Sequence, residues 1–98
     1  MVCCCHKKNC FNAGLKQFHR NGGLLLDVRD CREYRKGHLA GAINIPLSEI
    51  GRMLCRFPNR CLPIYVYCKS GQRSGAAAAY LRRHGYHNVT DLGGICDR

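Results

Sequence analysis

The chain has no apolar run approaching the roughly 20 residues that a membrane-spanning helix requires. Its opening, "MVCCCHKKNC", also lacks the apolar stretch of a secretion signal, so no membrane partner is expected. Carboxylates are scarce: six Asp and Glu stand against sixteen Lys and Arg, for a formal net charge of +10. Such a balance favours anionic partners, whether small oxyanions, acidic proteins or nucleic acid. The basic residues are spread along the chain and no common nucleic-acid-binding motif accompanies them, which weighs against nucleic acid. Internal repeats and low-complexity linkers are absent too. The 98 residues therefore read as one domain with a single modest core, burying about two-thirds of the surface its unfolded form exposes.

What the chain has in excess is cysteine, nine residues in all. In so short a chain that count ordinarily signals a disulfide-stapled scaffold. An odd number, the adjacency of Cys3, Cys4 and Cys5, and the strand and helix patterning of the rest argue instead for free thiols in a reducing, cytoplasmic setting. Cys3, Cys4, Cys5, His6 and Cys10 are soft-metal ligand types. A structural zinc site generally closes with two separated ligand pairs, and no second pair follows, so neither metal nor cofactor is expected. Residues 1–10 are read as a frayed Cys-rich segment ahead of a domain over 11–98.

Strands and helices alternate. "LLLDV" at 24–28, "AINI" at 42–45 and "IYVY" at 64–67 are continuous apolar runs suited to central strands covered on both faces. "NVTDL" at 88–92, introduced by turn residues, is a fourth strand. Phe11, Leu15 and Phe18 have helical spacing, which predicts a leading helix over 11–20. Asp30 and Glu33 are spaced as a capping box, predicting a helix over 30–36 stopped by Gly37. Ser48 is placed to cap a helix over 49–55 that ends before Pro58. A helix over 73–84 carries Arg82, Arg83 and His84 in its last turn, with Gly85 to end it. This alternation implies a parallel sheet with helices on its faces.

Cys68 follows the "IYVY" run, and an alanine-rich helix begins about five residues later. The carboxyl edge of a parallel sheet is where ligands bind in open α/β folds. There the segment Lys69, Ser70, Gly71, Gln72 and Arg73 wraps the sulfur, and its backbone N–H groups with the helix N-terminus form a cradle for negative charge. Gly71 supplies backbone freedom, while Lys69 and Arg73 add positive charge. A thiol so placed favours the thiolate, which is the nucleophile, without needing a histidine base. The run Ala76 to Ala79 is read as close packing of that helix on the sheet. A lone cysteine at a strand end is usually a small core residue; with Gly71, Arg73, Ser74 and a helix start behind it, a site is the better reading.

Two ordered stretches, "LLLDVRDCREYRKGHLAGAINIPLSEI" at 24–50 and "VYCKSGQRSGAAAAYLRRHGYHNVTDLGGI" at 66–95, resemble the signatures of single-domain rhodaneses, which are thiosulfate sulfurtransferases. The resemblance covers about residues 14 to 95 and implies a three-layer α/β domain with a central, mostly parallel sheet flanked by helices. It further implies that Cys68 takes the outer sulfur of thiosulfate, or of a similar donor, as a persulfide and passes it to cyanide, a thiol or a protein acceptor. Lys69, Ser70, Gly71, Gln72 and Arg73 would bind substrate; Asp27, Arg29 and Ser74 would support the pocket. His38, within the segment Gly37 to Ala42, is read as structural. Phosphatases and arsenate reductases of related fold use C-x5-R, whereas this chain reads C-x4-R, a tighter pocket that favours sulfur over phosphate. The alternatives to a thiosulfate enzyme are a carrier or regulatory module serving a protein partner and, more remotely, such a phosphatase. Cys31, Cys55, Cys61, Cys96 or an N-terminal thiol is a candidate to resolve the persulfide as a disulfide. The N-terminal segment does not resemble the family's usual opening strand, and relatives usually continue past "DLGGICDR", so the sheet's flank is expected either to be covered by a partner or to belong to a minimal domain.

Overall fold

The two most continuous apolar runs lie side by side in the middle of a four-stranded parallel sheet. In the computed structural model, which describes the backbone of residues 2–95 and the side chains of residues 11–95, β1 is Leu24–Asp27, β2 Ile43–Asn44, β3 Ile64–Cys68 and β4 Val89–Gly94. Their order is β2-β1-β3-β4, all neighbours parallel. Alternation along β1 and β3 assigns each residue to a layer. Leu24, Leu26, Ile64, Val66 and Cys68 join a core with Ile50, Met53, Ala77, Leu81 and Tyr86. Leu25, Tyr65 and Tyr67 join the opposite core with Phe11, Ala42 and Leu92. Helices therefore cover both faces, and the fold is a three-layer α/β domain.

Helix α1 spans Val2–Asn21, passing without a break through the boundary expected at residue 10. Its Phe11 meets Tyr67 edge-on at 6.1 Å and its Phe18 meets Tyr65 at 5.7 Å, geometries that aromatic quadrupoles favour. Helix α2, Cys31–Lys36, begins in the expected capping box: Glu33 N donates to Asp30 Oδ1 at 2.8 Å and Asp30 N to Glu33 Oε1 at 3.1 Å. Helix α4, Gln72–Arg83, buries Ser74, Ala77, Ala78 and Leu81, one stripe at helical spacing. Ala76 and Ala79 face outward, so half of the alanine run packs on the sheet.

Two expectations are corrected. The 42–45 run is an edge strand of two paired residues; it stays short where Asn44 turns its side-chain amide to the carbonyls of Asp27 and Arg29, at 2.9 Å each, and where Pro46 has no N–H to extend the ladder. Ser48 caps nothing: a 3-10 turn over Leu47–Arg52 starts at Pro46 and runs into α3, Met53–Arg56. Leu47 N is already held by Val28 O at 3.1 Å and Glu49 N by Pro46 O at 2.8 Å, so the chain turns before Ser48 reaches a cap position. The thiols of Cys3, Cys4, Cys5, Cys10 and Cys96, with His6, lie outside the described side chains.

Candidate active site

Strand β3 delivers Cys68 to the carboxyl edge of the sheet with no exposed surface. The chain turns at once, and Gly71 takes φ +100°, a left-handed conformation that side-chain-bearing residues rarely adopt. That turn aims two amides at the sulfur: Gly71 N donates to Cys68 Sγ at 2.9 Å and Ser74 N at 3.2 Å. Ser74 Oγ then donates to Gly71 O at 3.1 Å and fixes the turn. Among the described residues these two amides, one from the loop and one from the first turn of α4, hold the sulfur. Lys69, Ser70 and Gln72 are exposed around it.

Strand β4 forms the other wall. An extra residue in β4 shifts its register between Val66 and Tyr67, so that Cys68 lies opposite Gly94, and Ile95 N donates to Cys68 O at 3.0 Å. A side chain at Gly94 would overlap the Lys69 carbonyl and come within 2.7 Å of Ser70 C. Gly94→Ala is accordingly expected to push the Lys69–Ser70 backbone off the strand, costing about 1–3 kcal/mol of stability as overpacking does. Urea unfolding checks this; a midpoint equal to wild type would mean that the loop shifts freely.

Arg73 pairs with Glu33. Its Nη1 donates to Glu33 Oε1 at 2.8 Å and its Nη2 to Glu33 Oε2 at 3.3 Å, binding the start of α4 to α2. The guanidinium holds the Glu33 carboxyl down at about 2, and Glu33 in return pushes the Arg73 guanidinium up. A carboxyl lowered in the folded state stabilises it at pH values above the ordinary carboxylate range, and that contribution fades as pH falls from about 4.3 toward 2. The side chains are 34% and 27% exposed, so the pair contributes no more than about 1 kcal/mol. In urea melts, wild type should exceed Glu33→Gln by that margin at pH 7 and match it near pH 2; a margin that persisted in acid would assign the effect to packing. Glutamine keeps the capping oxygen, so the comparison isolates the charge.

Asp27 and Arg29 sit at the end of β1 as a buried pair. Arg29 Nη2 lies 2.8 Å from Asp27 Oδ2, and Tyr67 Oη donates to the same oxygen at 2.7 Å. Burial, aided by the Asp27 carboxylate, pushes the Tyr67 phenol up, so it remains a neutral donor. The hydrogen bond to Asp27 likewise raises the Arg29 guanidinium. Beside them a cleft of about 380 Å³ is lined by Arg29, Glu33, Lys36, Gly37, Lys69 and Ile95, with three cations against one carboxylate. His38 stacks on Tyr34 at 3.7 Å and its Nδ1 bonds Tyr34 O at 2.9 Å, a local contact on α2. No group of three or more metal-ligating side chains occurs among the described residues.

A buried sulfur at the carboxyl edge of a parallel sheet, held by two amides where the next helix begins, marks the site of this α/β domain. A profile of the Rhodanese-like domain matches residues 11–95, and the chain belongs to that family of sulfurtransferases. It is 40% identical over 73 residues to "Thiosulfate sulfurtransferase PspE" of Escherichia coli K12, covering 74% of this chain and 70% of that one. To the "Putative sulfur carrier protein YrkF" of Bacillus subtilis it is 37% identical over 68 residues, 69% of this chain and 36% of the relative. The solved structure "rhodanese with anions from E. coli" superposes with a TM-score of 0.70 at 38% identity, covering 76% and 89%.

Glu33, Tyr67 and Gly94 were not singled out from sequence as parts of this site. The Glu33 signal was taken up by its capping role. The pair Gly93-Gly94 following a strand pattern is a cue for a bulge or close backbone approach.

Proposed function

We propose that the protein transfers a sulfane sulfur from thiosulfate, or a similar donor, to cyanide or a thiol, with Cys68 as the carrier. The observation that carries this reading is the convergence of the Gly71 and Ser74 amides on Cys68 Sγ, two donors aimed where charge develops as sulfur is taken up and passed on. The thiolate attacks the outer sulfur of thiosulfate, the S–S bond breaks, and sulfite leaves with the bonding pair. Cyanide or a thiolate then attacks the terminal sulfur and returns Cys68 as thiolate, giving thiocyanate or a new persulfide.

Lys69, Ser70, Gly71, Gln72 and Arg73 are the substrate-binding loop in this scheme, with Ser74 completing the cradle and Asp27 and Arg29 supporting the cleft. Cys68 is fully enclosed, so a donor enters by displacing the exposed Lys69–Ser70 segment. Lys69 and Lys36 on the cleft attract the dianion toward that entrance. The exposed free thiols of Cys31, Cys55 and Cys61 suit the reducing cytoplasm.

The test is a single turnover without acceptor. Reduced protein and thiosulfate should release stoichiometric sulfite, and later addition of cyanide should yield matching thiocyanate. Absence of sulfite from folded, reduced protein would overturn thiosulfate as donor. The likeness to YrkF and the +10 charge favour, as a second reading, a carrier that docks an acidic protein partner. Failure with thiosulfate but rapid loading from a persulfidated protein would select it.

A further inference from the structure

A second thiol environment lies at the opposite end of the sheet. Cys61 precedes β3 and His87 precedes β4, so both sit at the amino edge, whereas Cys68 ends β3 at the carboxyl edge. Cys61 Sγ and His87 Nε2 are 3.5 Å apart, and both residues are exposed.

Each partner is fixed from its own side. Cys61 N donates to Asn59 Oδ1 at 2.9 Å, which sets the turn carrying the thiol. Arg60 fastens that turn to the end of α4: its Nε donates to His84 O at 2.9 Å and its Nη1 to Pro58 O at 2.9 Å. The guanidinium also lies over the Tyr86 ring at 4.6 Å. His87 N donates back to Arg60 O at 3.4 Å. These bonds hold the two segments side by side, and the imidazole lies in contact with the sulfur.

Two cations are placed at this edge: Arg60 immediately precedes Cys61, and Arg82 Nη2 donates to Val89 O at 3.1 Å, two residues beyond His87. Reactive cysteines occur in such settings, partly exposed and beside an imidazole or a cation. Cys31 and Cys55 are exposed as well, but no imidazole contact to either occurs among the described residues.

We infer that Cys61 with His87 is a second, surface nucleophilic site that undergoes thiol–disulfide exchange with small anionic disulfides, independently of Cys68. His87 Nε2 accepts the thiol proton, and the Cys61 thiolate attacks one sulfur of the disulfide. A mixed disulfide forms on Cys61 and the other half leaves as thiolate. No external oxidant is consumed, because the incoming disulfide is itself the electron acceptor.

The experiment uses the full, reduced chain and substoichiometric 5,5′-dithiobis(2-nitrobenzoate), a dianionic disulfide. Peptide mass mapping follows each cysteine, with fragment ions separating Cys61 from Cys68, which share a peptide after cleavage at Arg60. Cys61 should be modified about tenfold faster than Cys31 and Cys55. His87→Gln should bring it to their rate without altering theirs. Cystamine, a cationic disulfide, should lose the preference for Cys61. Equal rates at the three thiols, or a Cys61 rate unmoved by His87→Gln, would overturn the site. An undiminished preference with cystamine would overturn its selectivity for anions. Since the readout is Cys61 labelling, a failure of sulfur transfer at Cys68 leaves this result intact.

Discussion

Cys68→Ser is expected to abolish sulfur loading completely while leaving the domain folded. Wild-type protein treated with thiosulfate should gain the mass of one sulfur, about 32 Da, as the covalent intermediate of nucleophilic catalysis; the variant should gain none. Serine places a hydroxyl beneath the same two amides, so Gly71 N and Ser74 N keep an acceptor and stay satisfied. The volume change is small, and the expected stability cost is below about 1.5 kcal/mol. A hydroxyl at neutral pH is nevertheless a poor nucleophile without an adjacent base, and among the described residues no imidazole contacts Cys68. Mass spectrometry beside a thermal melt separates loss of chemistry from loss of fold. With nine cysteines in the chain the variant is also the necessary control: loading that survived would move the carrier to another thiol.

What sequence made legible follows the range of the interactions. The capping box at Asp30 and Glu33 is local, and it appears with both hydrogen bonds formed. The continuous runs at 24–28 and 64–67 report burial on both faces, and β1 and β3 are the central pair. The 42–45 run has the same composition, yet it forms an edge, because whether a strand gains a second neighbour depends on chain crossings that no local pattern records. The cysteine, the glycine with positive φ and the helix start were legible because they are contiguous. The Arg73–Glu33 pair, 40 residues apart, and the closure of the loop on Gly94 were not, since each joins segments that only the folded sheet brings together. Arg73 shows the consequence: read as a cation for substrate, it also ties the start of α4 to Glu33 on α2, a contact that no local pattern records.

Asp27→Ala should have the largest effect on stability. Asp27 has no exposed surface, and its carboxylate accepts from Arg29 N at 2.9 Å, from Arg29 Nε at 3.1 Å, from Arg29 Nη2 at 2.8 Å and from Tyr67 Oη at 2.7 Å. Arg29 Nη2 continues to Gly37 O at 2.7 Å, and Tyr67 Oη accepts from Leu39 N at 3.1 Å. One carboxylate therefore joins β1, β3 and the α2–β2 connection. Removing it leaves a guanidinium only 9% exposed without its counter-charge, and breaking a buried pair from one side costs about 3–5 kcal/mol. Small domains have about 5–15 kcal/mol in total, so the expected drop in Tm is about 12–40 °C at 4–8 °C per kcal/mol. Much of that loss is the stranded charge and not the missing contacts. Asp27→Ala combined with Arg29→Met should therefore be more stable than Asp27→Ala alone, since replacing both members of a buried pair by apolar groups is often near neutral. A double variant no better than the single one would locate the cost in the Tyr67 and backbone hydrogen bonds. A single variant within about 1 kcal/mol of wild type, the range of exposed pairs, would show that Arg29 swings out to solvent and that the pair does not hold the sheet edge.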